Sequence, residues 1–275
     1  MNTAYPIAEA IKARHSIRTF DPAPLDSKEL VGLSGFIENA PIIFDGKVNM
    51  KLISCSDNSE FKPSTYGVIR GASSFMLLSY ADDNCSRIAA GYAMEHVVIQ
   101  AQAIGLSTCW IAGTFKDSRF AAYASDDSST PLRVVIPVGH AAPKMRFIEK
   151  AFRSIAHSDR RKPAESLFFD ASTGSPLSPT HPLYPAMMLV RTAPSSVNSQ
   201  PWRLVIDGDK VLFYTVDTSA LGYLNLGIAM AHFAMACDIP APDGFNISWT
   251  IEPPKQNMPS LKKTEYVATA IISRR

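Results

Sequence analysis

RTAPSSVNSQPWRLVI, residues 191–206, sets Ser195, Ser196, Asn198, Ser199 and Gln200 between Pro194 and Pro201 and then turns apolar at Trp202. A plain connection from helix to strand needs little more than Gly, Asp or Asn. This run supplies hydroxyls and amides that both donate and accept hydrogen bonds. Such a set suits a ligand with a mixed donor and acceptor edge. A self-satisfied turn with Trp202 as core is the other reading open to it.

The flanks give the stretch its place. A helix reads over 182–193 and stops before Pro194. The strands WRLVID (202–207) and KVLFYTV (210–216) follow, joined through Asp207-Gly208-Asp209, a tight hairpin signal. An apolar helix covers 223–237, and FNISWTIE (245–252) and EYVATAIIS (265–273) are strands.

The earlier half of the chain has the same order. Helices read over 5–15 and about 26–39, and strands over 48–54 and 74–81. A long helix spans about 85–104, with Gly105 as its C-cap. A short extended segment (107–113), a short helix near 116–124 and the strand 132–140 follow. Residues 141–181, richer in Pro, Ser and charge, form the crossing. Each half thus runs helix, two strands, long helix, more strand. The expectation is an α+β fold, a mixed sheet covered by helices, with pseudo-symmetric halves over 1–150 and 151–275. The long apolar helices meet at its centre.

Composition agrees with a packed core: 46% of the 275 residues are hydrophobic and the net charge is +2. That charge gives no case for nucleic acid or a membrane surface, and DRRKP (159–163), the densest basic run, reads as a solvated loop. MNTAYPIAEAIKARHS carries Glu9 and no apolar core, so it is not a signal peptide. No stretch offers the ~20 clean apolar residues of a membrane span. Cys55, Cys85, Cys109 and Cys237 are far apart and read as reduced core thiols, which points to the cytoplasm. There is no metal-ligand spacing, no G-x-G-x-x-G after a strand and no G-x-S-x-G, so no metal, no Rossmann site and no catalytic nucleophile is assigned.

Three further stretches carry chemistry. KARHSIRTF places Arg14, His15, Ser16 and Arg18 within five residues, and Arg14 and Arg18 are i,i+4 neighbours if the helix continues. Guanidiniums plus a hydroxyl make a receptor for a phosphate or a planar acceptor edge, on the order of 1.5–3 kcal/mol per contact. A basic helix end favourable to the dipole is the alternative. VVIPVGHAAPKMRF ends a buried strand at Gly139 and puts Lys144 and Arg146 on one side of an extended loop; alone, it reads as solvated charge. IGLSTCWIAG sets Gly105 and Gly113 around a segment whose backbone can approach a ring closely, or is simply a buried strand.

Together the four stretches resemble the FMN-dependent nitroreductase family. ARHSIRTFD resembles its phosphate and ribityl motif, and APSSVNSQPW its Pro-Ser-Ser-x-Asn-x-Gln-Pro-Trp motif. VVIPVGH with PKMR is similar to its strand and phosphate clamp, and IGLSTCWIAG, with Trp110, to the segment beneath the flavin ring. In that family the Ser-Asn-Gln motif precedes the glycine segment and reaches across a dimer. Here the first-half position reads ENAPIIFDGKVNMKLI, and the intact motif lies in the second half, which in turn has only RSIAHSDRRKPAES for the Arg-x-Ser-x-Arg stretch. The chain therefore resembles the duplicated single-chain branch of the family. That implies a fused pseudo-dimer with one complete FMN site, sufficient as a monomer, with a homodimer also open.

The resemblance implies that Arg14, Lys144 and Arg146 hold the FMN phosphate, with His15 assisting. Ser16 and Arg18 would face the ribityl chain and the pyrimidine edge, where a cation stabilises charge arriving on reduction. Pro194, Ser195, Ser196 and Asn198 would line the flavin from the other side, and Gln200 would bind the pyrimidine or brace the loop. Ala112 stands where the family often has Glu, so the flavin N5 region would rely on a backbone N–H of Ala112 or Gly113. The family's Asn and Lys before the second strand have no match in STYGVIRGA, with Arg70 as the one substitute. The implied activity is ping-pong electron transfer from NAD(P)H, a transient donor, to a small nitroaromatic, quinone or similar conjugated acceptor. A non-enzymatic FMN carrier or redox sensor is the alternative, and an apo scaffold the third.

Overall fold

The structure, a computed structural model, describes residues 6–55, 61, 63–124, 127–143, 160–238, 245–253, 261 and 263–274. The first half contains α1 (Ile7–Ala13), α2 (Ser27–Glu38), β1 (Val48–Ser54), β2 (Ser74–Tyr80), α3 (Asn84–Ala103), β3 (Ser107–Thr108), α4 (Asp117–Phe120) and β4 (Leu132–Gly139). Its strands form an antiparallel sheet in the order β1-β2-β4-β3. The second half contains β5 (Phe168–Asp170), α5 (Tyr184–Val190), β6 (Trp202–Asp207), β7 (Lys210–Thr215), α6 (Ala220–Cys237), β8 (Phe245–Thr250) and β9 (Glu265–Arg274). Its sheet runs β5-β6-β7-β9-β8, antiparallel except for the parallel pair β5/β6.

Local chemistry sets the ends of these elements. Asp26 and Glu29 form a capping box at the start of α2: the Glu29 N–H donates to Asp26 Oδ1 (2.8 Å) and the Asp26 N–H to Glu29 Oε2 (2.9 Å). Asp83 caps α3 by accepting from the Ser86 N–H at 2.8 Å. α6 starts three residues before the expected 223, because the Ser219 hydroxyl caps it at the Gly222 N–H (3.1 Å). The β6/β7 hairpin pairs Asp207 with Lys210, and Gly208 takes the left-handed turn position at φ 60°. β5 was not expected: it is three residues long and sits inside the polar crossing segment.

The two halves share a core. One hydrophobic cluster takes Ala10, Ile11, Ile88, Tyr92 and Ile99 from the first half and Phe168, Trp202, Phe213, Ile228 and Phe233 from the second. At its centre α3 and α6 lie face to face. A Cβ added to Gly91 would stand 2.1 Å from the Leu224 carbonyl oxygen, and one added to Gly227 would stand 2.1 Å from that of Ile88. Only glycine permits backbones so close. By length and composition α6 could cross a membrane, yet 78% of it is buried inside the protein, as a core helix is. The four cysteines are all free thiols; Cys109 and Cys237 are buried and Cys55 and Cys85 half-buried.

Candidate functional site

Three segments converge on a cleft of about 510 Å³, within the usual range for small-molecule sites. The first follows α1. Arg14 is the C-cap of that helix, at φ −62° and ψ 125°, so the helix stops there. The Ile17 N–H donates to the Thr108 carbonyl (3.0 Å) and Ser16 bridges Thr108, which docks the run beside β3. Arg14 and Arg18 are thus not stacked on a helical face as i,i+4 neighbours; the extended backbone nevertheless brings both to the cleft.

Arg14 is only 7% exposed, and its Nε and Nη1 are buried without a hydrogen-bond partner among the described residues. Burial pushes its pKa below the ordinary value, while the charge of Glu95 acts in the opposite direction. A guanidinium stays charged under such shifts. A buried cation with free donors is costly unless something accepts from it.

The second segment follows β3. Trp110, Ile111, Ala112 and Thr114 line the cleft. The Trp110 Nε1–H donates to Glu95 Oε2 at 2.8 Å. Glu95, fully buried on α3, also lies with Oε1 2.9 Å from Nε2 of the fully buried His232 of α6.

The third segment is the loop Pro194–Asn198, backed by Leu221, Leu224, Asn225 and Ile228 of α6. The Ser196 N–H donates to Asn225 Oδ1 at 3.0 Å, and Asn225 Nδ2 is buried with no partner among the described residues. Val197, Asn198 and Gln200 all have positive φ (45°, 56° and 46°). Asn tolerates that region; for the β-branched Val197 it is strained.

Much of the polar run holds this loop in shape. Ser195 Oγ accepts from the Gln200 N–H (2.9 Å), and Gln200 Nε2 donates to the Asn198 carbonyl (3.2 Å). Gln200 Oε1 accepts from the Lys162 N–H (2.8 Å), and Asn198 Nδ2 donates to the Arg160 carbonyl (2.8 Å).

Of the residues singled out in the sequence, Arg14, His15, Ser16, Arg18, Trp110, Ala112, Pro194, Ser195, Ser196 and Asn198 line this one cleft. Gln200 is outside the lining, 3% exposed, and acts as the brace of the loop. Gly113 has φ 83° and also lies outside the lining. Lys144 and Arg146 lie outside the described residues.

Arg161 corrects the reading of DRRKP as a solvated loop. It lines the cleft and donates to the Thr192 carbonyl (3.2 Å) and Asn198 Oδ1 (3.3 Å). Asn225, Glu95 and His232 were also missed. Their signal was a polar residue inside an otherwise apolar helix.

The place on α3 around Cys85–Ala89 that matches the cleft wall of α6 is filled. The chain separation that relates Gly91 to Gly227 and Ile88 to Leu224 also relates Cys85 to Leu221, Ala89 to Asn225 and Tyr92 to Ile228. On that face a turn with Phe44 and Asp45 at positive φ seats Gly46 directly on α3. A Cβ at Gly46 would lie 2.4 Å from Ala89 Cβ and 3.1 Å from the Cys85 carbonyl oxygen. The Lys47 N–H donates to Ser86 Oγ at 2.9 Å. The backbone thus occupies the place that the cleft occupies on the α6 side.

A family model described as "Putative TM nitroreductase" matches residues 6–237. The solved structure of a "putative nitroreductase" from Thermotoga maritima MSB8 aligns over 98% of this chain and 95% of its own, with a TM-score of 0.62 and 19% identity, a likeness of fold. A nitroreductase family protein from Clostridium novyi NT aligns over 50% of this chain and 86% of its own, at TM-score 0.40 and 18% identity. An FMN-dependent nitroreductase from Clostridium difficile R20291 covers 50% and 88%, at 0.40 and 15%. No curated protein matches the chain.

Proposed function

The chain belongs to the nitroreductase family whose model spans residues 6–237, and we propose that it is an FMN-dependent oxidoreductase with one flavin site per chain, built jointly by its two halves. The observation that carries this reading is Arg14: a buried cation whose Nε and Nη1 have no acceptor among the described residues, on a cleft that also holds Asn225 Nδ2, likewise without a partner among them. Free donors around a buried positive charge fit an anionic ligand rich in acceptors, which FMN is.

In this reading Arg14, His15, Ser16 and Arg18 bind the phosphate, the ribityl hydroxyls and the pyrimidine edge, and Lys144 and Arg146 add phosphate contacts. Ser196 and Asn225 hold the opposite edge. Leu221, Leu224 and Ile228 form an apolar wall that excludes water from one side of a planar group. Bound there, FMN supplies two-electron redox chemistry between NAD(P)H and a conjugated acceptor such as a quinone or nitroaromatic. The residues of the cleft orient these partners and stabilise negative charge; no protein nucleophile is needed. The filled place on α3 around Cys85–Ala89 supports a single site and a chain that acts as a pseudo-dimer without a partner subunit. The cytoplasm is the proposed location.

The test is to load the purified protein with FMN, remove free flavin, and add NADH or NADPH without oxygen. The reading expects the bound flavin absorbance to bleach and to return on adding benzoquinone. The Ala112 side chain, at the place where the family often has Glu, has no polar group to offer the flavin, which gives the carrier or sensor reading its support. Bound flavin that neither pyridine nucleotide bleaches would establish that second reading.

A further inference from the structure

Glu95 and His232 sit behind the cleft, fully buried, and join the two central helices. His232 Nδ1 faces the Leu189 carbonyl at 3.1 Å. A carbonyl only accepts, so Nδ1 carries a proton. Nε2 and Glu95 Oε1, at 2.9 Å, then hold one further proton between them. Oε2 is left to accept the Trp110 Nε1–H at 2.8 Å. The carboxyl group is thereby bonded at both oxygens.

The arrangement occurs on one side only. The separation that relates Gly91 to Gly227 relates His96 to His232 and Ala231 to Glu95. His96 therefore has no carboxylate at the matching place, and its Nε2 is buried without a partner among the described residues. The carboxyl group reaches Trp110 in the wall of the cleft, and the alanine at the matching place has no polar group to do the same.

We propose that Glu95, locked by His232 of the opposite helix, is the positioning residue of the cleft: it fixes the Trp110 indole in the wall against which a ligand packs. The identity of the ligand rests on the flavin reading; the contact between Glu95 and Trp110 does not.

The test uses Glu95→Gln and His232→Gln in the full chain, with folding checked by circular dichroism. The Trp110 indole N–H resonance, assigned with Trp110→Phe, is recorded without flavin. FMN is then titrated by the quenching of its fluorescence. Both variants should move the indole resonance upfield and weaken FMN binding about tenfold in protein that is still folded. An indole resonance unmoved in either variant would overturn the proposal. So would a moved resonance with FMN affinity unchanged, since that is what a purely structural pair gives. If the parent protein binds no FMN, the flavin reading fails, and the indole resonance alone decides the role of Glu95.

Discussion

Gly91 of α3 lies so close to Leu224 of α6 that a methyl group on it would stand 2.1 Å from the Leu224 carbonyl oxygen. Gly227 repeats the relationship against Ile88. The obstacle is backbone in both cases and has no rotamer to change. Gly91→Ala and Gly227→Ala should each destabilise the protein by about 3 kcal/mol or more, read by urea denaturation. A loss below about 0.5 kcal/mol in either would show that the helices are not in contact there.

Arg14→Met should act in opposite directions on two measurements. The ligand-free protein should gain about 1 kcal/mol, because a buried unpaired cation is replaced by an apolar chain of similar length. FMN affinity should fall about 10- to 100-fold, the loss of one or two charge-assisted contacts. A fall in both stability and affinity would make Arg14 a structural residue first.

Val197 is 82% exposed and strained at φ 45°. Val197→Asn should raise stability by about 1 kcal/mol, since Asn enters the left-handed region more readily. Thermal unfolding checks it. A lower melting temperature would mean that exposed Val197 makes contacts that outweigh its backbone strain.

His96 gives a pH dependence. Burial first, and His232 second, push its pKa down to about 4 from an ordinary 6.5, with Asp238 acting the other way. Below pH 6.5 the unfolded chain takes up a proton that the folded protein refuses until about pH 4. Stability is therefore complete above 6.5 and falls as the pH falls through that window, by about 3 kcal/mol in all. His96→Gln should flatten the decline between pH 6.5 and 4. An unchanged slope would assign it to other groups.

Much of the fold was legible in the sequence, because each strand over 48–54, 202–207 and 210–215 is bounded by turn chemistry and both long helices are apolar on nearly every face. β5 was not, since three residues carry no period and pairing with β6 is a tertiary event. In the site, the motif residues were visible as types, but their division of labour was not. Ser195 and Gln200 support the loop, and Ser196 faces Asn225, through distances that sequence spacing does not encode. Arg161 looked like surface charge because a basic run has no periodicity to show that one member points inward. Glu95, Asn225 and His232 were the opposite case: three polar side chains in apolar helices are a signal in themselves.

The joint grip of both halves on a single flavin is tested most directly by binding stoichiometry. Apo-protein of known concentration is titrated with FMN by calorimetry. Saturation at one FMN per chain, lost when Asn225→Leu removes the α6 contribution, is the predicted result. Saturation at two per chain, or no binding heat at all, would contradict it.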